Sequence, residues 1–389
     1  DKNKRLTVWL PVIIAASIAL GIFIGNHYLS ISQGKKRSYS SGNKINAILD
    51  IIDEQYVDTV SMSKLVESTI PKIFSELDPH SVYIPAEDAS VVNEELEGSF
   101  SGIGVSFNMQ TDTILVISVI SGGPAEKAGL LPFDRIISIN DSIFSGKKKN
   151  QGEIMKTLRG AKNSTVKLGV QRGNSPELLY FDVTRGDVPV NSVDVSYEAA
   201  KGIGYIKVSK FARNTYNEFI TAIAKLKQAG CTSFVIDLRG NTGGYMDAAI
   251  NMINEFMPEG RLIVYTEGKS FPRSDVYANG TGTCKDAPIV VLTDEISASA
   301  SEIFSGAIQD NDRGTIIGRR TYGKGLVQTQ MSLSDGSEMR LTIARYYTPS
   351  GRCIQKKYEM GNTDAYDQSI TDICTASSTR PIASRWMIP

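Results

Sequence analysis

The feature that most constrains the fold is an alternation of two kinds of segment between residues 188 and 358. Short apolar segments such as "GIGYIKVSKF" and "CTSFVIDLRGN" are separated by amphipathic segments such as "NTYNEFITAIAKLKQAG" and "YMDAAINMINEFM". Strands that alternate with helices form a layered structure in which the helices cover a largely buried sheet. The sequence therefore predicts an α/β core over residues 188–358.

Two regions of different character precede this core. Residues 44–98 carry apolar side chains at helical spacing, as in "INAILDIIDEQYV", and predict a helical N-terminal region. From residue 99 to residue 187 the pattern changes to short strands, a glycine-rich loop and two helices, with two strands expected in "GSFSGIGVSFNMQTDTILVISVI". This order resembles a PDZ domain. The chain is thus predicted to be a multidomain α/β protein with a β-rich, PDZ-like domain.

The segment 1–30 contains an uncharged apolar run, "LTVWLPVIIAASIALGIFIG", preceded by three basic residues. Its length is close to the roughly 20 residues that cross a bilayer, and basic residues on its N-terminal side predict that this end stays in the cytoplasm. We favour an uncleaved membrane anchor, while the small residues in "ASIAL" leave a cleaved signal peptide open. Either interpretation exports the rest of the chain, with residues 31–43 as a polar linker.

Composition disfavours several classes of function. Lysine plus arginine (42) equals aspartate plus glutamate (42), so no basic excess indicates a nucleic-acid partner. The four cysteines form no CxxC pair, which disfavours a zinc site, and only two histidines occur, His27 and His80. A Ser-His-Asp triad would therefore have to use His80, which we interpret as structural. We expect neither a metal nor an organic cofactor.

Three serines at alternate positions, Ser297, Ser299 and Ser301, lie between an apolar strand and an apolar helix in "TDEISASASEIFSGAIQD". One interpretation is a helix cap, because serine oxygens accept hydrogen bonds from the first N–H groups of a helix and Glu302 stands at capping-box spacing from Ser299. The other is a nucleophile at a helix N-terminus, where free N–H groups stabilise an oxyanion.

Two further motifs carry residues suited to acyl transfer. The loop "DLRGNTGG" follows a strand, and its glycines permit an oxyanion hole or an ordinary turn braced by Asp237 and Arg239. In "TYGKGLVQTQ", Lys324 lies between two glycines, and Gln328 shares its face if the segment is extended. A lysine acts as a general base only when burial or nearby positive charge lowers its pKa. The alternative is a solvated lysine in a turn.

These motifs, together with "TPSGRCIQ", "LDPHSVYIP" and "GSFSGIGV", resemble those of the C-terminal processing peptidases, also called tail-specific proteases. The resemblance covers roughly residues 44–358 and implies a crotonase/ClpP-like α/β protease core. It further implies Ser299 as the nucleophile, Lys324 as the general base and Gln328 as the residue that holds the lysine. The implied oxyanion hole consists of the amides of Ala300 and Gly244.

The resemblance also implies a role for the PDZ-like domain. Its loop would bind the terminal carboxylate of protein substrates with exposed C-termini, and the substrate peptide would add to the domain as a strand. The implied contributors are Gly102, Ile103, Gly104 and Val105. Movement of this domain is expected to gate access to the protease site. One departure from the family is Phe133, which stands where members often have glycine and is expected to alter only a turn.

The predicted function is that of an exported serine endopeptidase with a Ser/Lys dyad. We expect it on the inner membrane of a bacterial cell envelope, with its catalytic part in the periplasm or extracytoplasmic space, and homo-oligomerisation stays open. Two alternatives are a catalytically inactive PDZ scaffold and a crotonase-like acyl enzyme. The tail 359–389 loses the resemblance after about residue 367, and we hypothesise that a frameshift produced it.

Overall fold

The computed structural model describes residues 15, 17–20, 41–110, 113–144, 151–362 and 365–366. The chain divides into two compact units, Asp1–Ser68 and Thr69–Pro389. Helix α1 (Ser41–Gln55) lies in the first unit, and helix α2 (Met62–Ser75) continues into the second. These helices agree with the predicted helical region. Most of the predicted anchor, most of the linker and the hypothesised frameshifted tail lie outside the described residues.

Within the ranges described, no helix combines the length and the apolar character needed to cross a membrane.

The first part of the second unit is a β-rich domain. Strand β1 (Val82–Ile84) and helix α3 (Ala86–Glu97) lead into β2 (Ser99–Gly102), which pairs antiparallel with β9 (Gly186–Pro189). The elements between β2 and β9 are β3 (Val105–Gln110), β4 (Thr113–Val119), α4 (Pro124–Ala128), β5 (Arg135–Ile139), β6 (Ser142–Ile143), α5 (Gln151–Leu158), β7 (Thr165–Gln171) and β8 (Leu179–Thr184). Their sheet has the order β3-β4-β5-β7-β8, with β6 paired to β5.

A separate apolar core holds this domain together. Alternate residues of β7, Val166, Leu168 and Val170, are buried and pack with Ile154 and Leu158 of α5. A spacing of two in the strand and four in the helix brings both sets to the same interior. The structure has three strands where the sequence predicted two between residues 99 and 121, because Gly104 adopts a left-handed φ of 79° that bends the chain between β2 and β3.

The rest of the second unit is the α/β core. Its elements are β10 (Val193–Ala200), β11 (Ile203–Val208), α6 (Thr215–Gln228), β12 (Ser233–Asp237), α7 (Met246–Asn254), β13 (Leu262–Glu267), β14 (Ser274–Tyr277), β15 (Ile289–Thr293), α8 (Ala300–Asp310), β16 (Thr315–Gly318), β17 (Leu326–Ser332) and β18 (Glu338–Tyr347). One sheet has the order β10-β11-β12-β15-β16, parallel except for β10. A second sheet has the order β1-β18-β13-β14, with β17 also paired to β18.

Helices cover one face of the parallel sheet. Phe234, Ile236 and Val291 point toward them and are buried, and Phe219 of α6 and Phe304 of α8 belong to the same core. The sheet is less buried than the sequence predicted, because all of β10 beyond Val193 is exposed as an antiparallel edge strand. The amphipathic helices therefore need to cover only one side.

The parallel sheet also determines where the functional motifs meet. Strands β12 and β15 are neighbours and run in the same direction. The glycine-rich loop follows β12, and the serine motif follows β15. Since ligands of open α/β sheets bind beyond the carboxyl ends of the strands, this edge is the candidate functional site.

Candidate active site

The three serines have different environments. Ser297 and Ser301 are fully buried, and their hydroxyls donate to carbonyl oxygens of the glycine-rich loop, Ser297 to Leu238 at 2.8 Å and Ser301 to Asn241 at 3.0 Å. Ser299 is only partly buried. Its neighbours thus fasten the serine motif to the glycine-rich loop, and Ser299 is the member of the three that solvent reaches.

Ser299 has a strained backbone. Its φ of 55° and ψ of −113° place it in the left-handed half of conformational space, which residues with a side chain rarely adopt. Such strain costs on the order of 1–3 kcal/mol and persists where the surroundings enforce it. A strained turn between a strand and a helix is also the geometry that exposes the nucleophile of α/β hydrolases.

The helix-cap interpretation is confirmed for the main chain. Ser299 is the N-cap of α8, and its N–H donates to the Glu302 carboxylate at 2.9 Å. The Glu302 N–H in turn donates to the Ser299 carbonyl oxygen at 2.8 Å. Ala300 is the first residue of α8, so its N–H has no acceptor within the helix. An N-cap serine followed by a free amide suits a nucleophile beside an oxyanion donor.

The glycine-rich loop lies directly against Ser299. A Cβ added to Gly243 would stand 2.7 Å from the Ser299 Cβ and 3.1 Å from the Ala300 nitrogen. The loop is held by Asn241, whose side-chain amide donates to the Val208 carbonyl at 3.0 Å and accepts the Gly243 N–H at 2.8 Å. Only glycine permits this approach, because Gly243 has a φ of 102° as well as no room for a side chain.

Gly244, the predicted oxyanion residue, is fixed by its neighbours. The Phe211 N–H donates to the Gly243 carbonyl at 2.9 Å, and the Tyr245 N–H donates to the Phe211 carbonyl at 2.7 Å. Within the described part of the chain, the Gly244 N–H itself donates to no acceptor. A rigidly held amide with no partner suits an oxyanion hole, whereas the Gly243 amide is already bonded to Asn241.

Asp237 and Arg239 brace this loop, which was one of the two interpretations of the motif. The Arg239 guanidinium donates to the Asp237 carboxylate at 2.6 Å, and the Tyr205 hydroxyl donates to it at 2.6 Å. Burial alone would raise the pKa of Asp237, but the hydrogen bonds from Arg239 and Tyr205 lower this pKa to about 2. Asp237 is therefore a buried, ionised carboxylate at the end of β12.

Lys324 is brought to the same place by Glu302. The Gly323 N–H donates to one oxygen of the Glu302 carboxylate at 2.8 Å, and the Lys324 N–H donates to the other, also at 2.8 Å. The second of these oxygens also accepts the Ser299 N–H. The main-chain nitrogens of Ser299 and Lys324 therefore both lie within hydrogen-bonding distance of one atom.

The environment of Lys324 favours a neutral amine. Burial is the larger cause that lowers its pKa, and the positive charge of Arg340 lowers it further. The negative charges of Asp78 and Glu302 act in the opposite direction without cancelling the effect. This is the condition that a lysine must meet to act as a general base.

The structure directs Gln328 differently from the expectation. Its side-chain amide donates to the main-chain carbonyl of His80, and no hydrogen bond joins Gln328 to Lys324 among the residues described. The strand that carries Gln328 begins only at Leu326, so Lys324 lies outside it, and the register irregularity opposite Val327 and Gln328 is an extra residue in β18, Ile343. Gln328 thus links the site to the segment that contains Asp78 and His80.

His80 is half-buried beside the site rather than remote from it. Its Nε2 lies 3.1 Å from the Tyr366 hydroxyl. Burial lowers the pKa of His80 to about 4, and the nearby charge of Lys324 contributes. Asp78, His80, Arg340 and Tyr346 also lie at or near the site, and no local signal in the sequence placed them there. Glu302 did have such a signal, its capping-box spacing from Ser299.

The PDZ-like loop presents main-chain N–H groups that can donate to a carboxylate. The Ile103 and Gly104 carbonyls accept the Ala125 and Ile120 N–H groups at 2.7 and 2.9 Å. The N–H groups of Ile103 and Gly104 donate to nothing in the ranges that the structure covers. Gly102, Ile103 and Gly104 are buried, and Val105 begins β3, whose outer edge is unpaired in the described sheet. Successive free amides and an open strand edge suit a peptide C-terminus.

The described residues contain no group of three or more His, Cys, Asp or Glu that could hold a metal ion. Cys231, Cys284 and Cys353 are free thiols, and Cys374 lies outside the described residues.

A β-rich domain with an open edge, joined to an α/β core that presents a serine at a strained turn, defines a serine peptidase that carries a PDZ domain. Comparisons with known proteins agree. The model for Peptidase family S41 matches residues 202–363, and that for the PDZ domain matches residues 101–194. The carboxy-terminal processing protease CtpB of Bacillus subtilis (strain 168) is 35% identical over 318 residues, which are 81% of this chain and 66% of that protein.

A probable CtpA-like serine protease of Staphylococcus aureus (strain N315) is 33% identical over 365 residues, 92% of this chain and 72% of that protein. Among solved structures, a photosystem II D1 C-terminal processing protease aligns with a TM-score of 0.45 and 27% identity, over 82% of this chain and 91% of that one. The chain belongs to peptidase family S41, with the carboxy-terminal processing proteases as its relatives. The predicted class, a serine-type peptidase with a PDZ domain, is confirmed.

Proposed function

We propose that this chain is an endopeptidase that binds the C-terminal tail of a protein substrate through its PDZ domain and cleaves with Ser299 and Lys324. The observation that carries the proposal is the shared Glu302 oxygen, which holds the main chains of both residues together. Ser299 is partly exposed on a strained turn, and Lys324 has a lowered pKa. A hydroxyl beside a desolvated lysine can work as a dyad without histidine.

In this mechanism the neutral amine of Lys324 takes the proton of the Ser299 hydroxyl as its oxygen attacks the carbonyl carbon of the scissile peptide bond. The amides of Ala300 and Gly244 stabilise the resulting oxyanion. The Lys324 ammonium then returns the proton to the leaving amine, and the peptide bond breaks to give an acyl-enzyme. Water, deprotonated by Lys324, attacks the acyl carbon; the ester bond to Ser299 then breaks, Lys324 returns the proton to the Ser299 oxygen, and the new C-terminus is released.

Single substitutions at the two residues test this proposal. Ser299→Ala and Lys324→Ala are each expected to abolish cleavage of casein and reaction with a fluorophosphonate probe, while circular dichroism and the thermal unfolding temperature stay close to those of the parent protein. Ser305→Ala is the matched control, because Ser305 is a buried serine of the same helix whose hydroxyl donates to the Ser301 carbonyl oxygen, and its variant is expected to remain labelled. Undiminished cleavage by Ser299→Ala would exclude Ser299 as the nucleophile.

The recognition step has its own experiment. We expect the Ser299→Ala protein to bind a peptide with a free C-terminal carboxylate and to bind the same peptide poorly when that carboxylate is amidated, because Ile103 and Gly104 offer N–H donors to an anion. Fluorescence anisotropy with the two labelled peptides measures the difference. Equal affinity for both would show that the loop does not recognise the terminal carboxylate.

We also propose that the catalytic part is exported across the inner membrane of a bacterium by the apolar run at residues 6–25. Its charge distribution supports this orientation, because basic residues precede the run. A fusion of alkaline phosphatase after residue 43 is expected to be active in cells. An inactive fusion made in normal amount would contradict export.

A further inference from the structure

Two fully buried polar side chains contact the main chains of both proposed catalytic residues. Glu302, in the first turn of α8, has no exposed surface, and Tyr346, near the end of β18, is 2% exposed. Neither side chain takes part in the proton transfers of the proposed mechanism. They lie 44 positions apart in sequence and converge on Ser299 and Lys324 from different elements.

Glu302 binds the N–H side of these residues. Its carboxylate accepts the N–H groups of Ser299, Gly323 and Lys324 at 2.9, 2.8 and 2.8 Å. In an ordinary capping box the glutamate lies at the protein surface and is solvated. Here burial raises the pKa of Glu302 to about 7, and the hydrogen bonds that the carboxylate accepts offset this rise only in part. Burial of a carboxylate is costly, so a cap alone is a poor reason to keep it.

Tyr346 binds the carbonyl side. Its hydroxyl lies 3.0 Å from the Ser299 carbonyl oxygen and also within hydrogen-bonding reach of the Lys324 carbonyl oxygen. The Tyr346 N–H donates to the Gly325 carbonyl at 3.0 Å. One hydroxyl thus spans the strained turn of Ser299 and the loop of Lys324, and it contacts the carbonyl oxygens of the same two residues whose N–H groups bind Glu302.

We propose that Glu302 and Tyr346 are positioning residues that join the Ser299 turn to the Lys324 loop and so align the hydroxyl with the amine. This inference rests on the proposed function. In addition, the Glu302 charge favours the protonated form of Lys324, together with Asp78 and against Arg340, whereas the adjacent His80, with its pKa lowered to about 4, is uncharged at neutral pH. Glu302 therefore contributes to alignment and to the pH at which the lysine becomes a base, whereas uncharged Tyr346 contributes to alignment alone.

The test compares Tyr346→Phe and Glu302→Gln with the parent protein on a fluorogenic peptide. Tyr346→Phe removes one oxygen and keeps the ring. Glu302→Gln keeps the shape but replaces one acceptor oxygen by an NH₂ donor that faces a main-chain N–H. We expect kcat to fall roughly 10- to 100-fold in each, with KM within about threefold, because a misplacement of about 1 Å costs rate rather than binding.

The pH profile separates positioning from simple loss of structure. Removing the negative charge of Glu302 lowers the pKa of Lys324 further, so the acid limb of kcat/KM is expected to move to lower pH by about half a unit or more in Glu302→Gln. The limb is expected to stay in place in Tyr346→Phe. The matched controls are Tyr347→Phe, whose ring stacks on Tyr265, and Glu295→Gln, which pairs with Arg319; both are expected to keep parental kcat.

The results expected from these variants separate a failure of the positioning role from a failure of the proposed function. If Ser299→Ala and Lys324→Ala abolish cleavage while folded Tyr346→Phe and Glu302→Gln keep parental kcat, the positioning role is wrong and the dyad stands. A fall in kcat that only matches the unfolded fraction also refutes it. Should Glu302→Gln fail to fold, Tyr346→Phe decides alone, through its kcat, its KM and its rate of fluorophosphonate labelling. Cleavage that survives Ser299→Ala refutes the dyad itself.

Discussion

Gly243 offers the sharpest test of how closely the glycine-rich loop approaches the nucleophile. Alanine at this position would place its Cβ 2.7 Å from the Ser299 Cβ, 2.8 Å from the Ala298 carbonyl oxygen and 3.1 Å from the Ala300 nitrogen. Carbon atoms prefer separations of about 3.5–4.0 Å. The loop and the Ser299 turn must therefore move apart by roughly 1 Å, and the oxyanion donors move with them.

Two contributions to the loss of stability in Gly243→Ala can be separated by a matched variant. Gly240 lies in the same loop with a φ of 74°, and a Cβ there would meet nothing within 4 Å. Gly240→Ala therefore carries only the left-handed strain, about 1–2 kcal/mol. Gly243→Ala carries similar strain at a φ of 102° plus an overpacking cost of about 1–3 kcal/mol. We expect the two variants to differ by that second amount in free energy of unfolding.

The activities are expected to differ more than the stabilities. Displacement of the oxyanion donors predicts a fall in kcat of about 100-fold for Gly243→Ala, whereas Gly240→Ala is expected to stay within a few-fold of the parent protein. Steady-state cleavage of a fluorogenic peptide and urea denaturation measure the two quantities. Equal losses of kcat in both variants, or parental activity in Gly243→Ala, would refute the close approach as the reason for glycine.

Three further predictions concern a turn, a buried carboxylate and the proposed base. Phe133 has a φ of 70° and is 75% exposed, and glycine there would relieve left-handed strain of about 1–2 kcal/mol at some entropic cost. Phe133→Gly is therefore expected to raise the free energy of unfolding in urea by about 0.5–1 kcal/mol. Unchanged or lower stability would contradict this expectation. The pKa of Asp237 is lowered to about 2 in the folded protein, so its ionised carboxylate stabilises the fold by about 2 kcal/mol above pH 4. This stabilisation is lost as the pH falls from about 4 to about 2. Asp237→Asn should remove this pH dependence, and denaturation curves that keep it would contradict the role of Asp237. Arg340 lowers the pKa of Lys324, so Arg340→Gln is expected to move the acid limb of kcat/KM to higher pH, opposite to the effect of Glu302→Gln; a shift to lower pH would count against Lys324 as the base.

The periodicity of the sequence predicted those strands and helices that bury one apolar face in the core. The strands β12 and β15 and the helices α6 and α8 follow from apolar residues at spacings of two and of three to four. Strand β10, "VDVSYEAA", does alternate apolar and polar residues, but Val195 and Tyr197 are exposed, so the alternation does not reveal that this strand is an exposed antiparallel edge.

The candidate site was predictable to the extent that its residues lie in short motifs. Ser299, Lys324 and the glycine-rich loop each had a local signal in small or glycine neighbours. Tyr346 and Arg340 had none, because their contacts with the Lys324 region depend on the pairing of β17 with β18 and not on spacing along the chain. The contact of Gln328 with the His80 carbonyl had no local signal either, since the two residues are 248 positions apart in the chain.

The PDZ domain enters and leaves the α/β core at a single point. Strand β2 and strand β9 pair side by side, and the Val190 N–H donates to the Gly98 carbonyl at 2.9 Å. The domain is therefore an insertion whose two ends are neighbours, so its excision and closure by a tight turn would leave the flanking main chain in place. This domain could therefore be exchanged for another recognition domain, in evolution or by engineering, without changes to the α/β peptidase core.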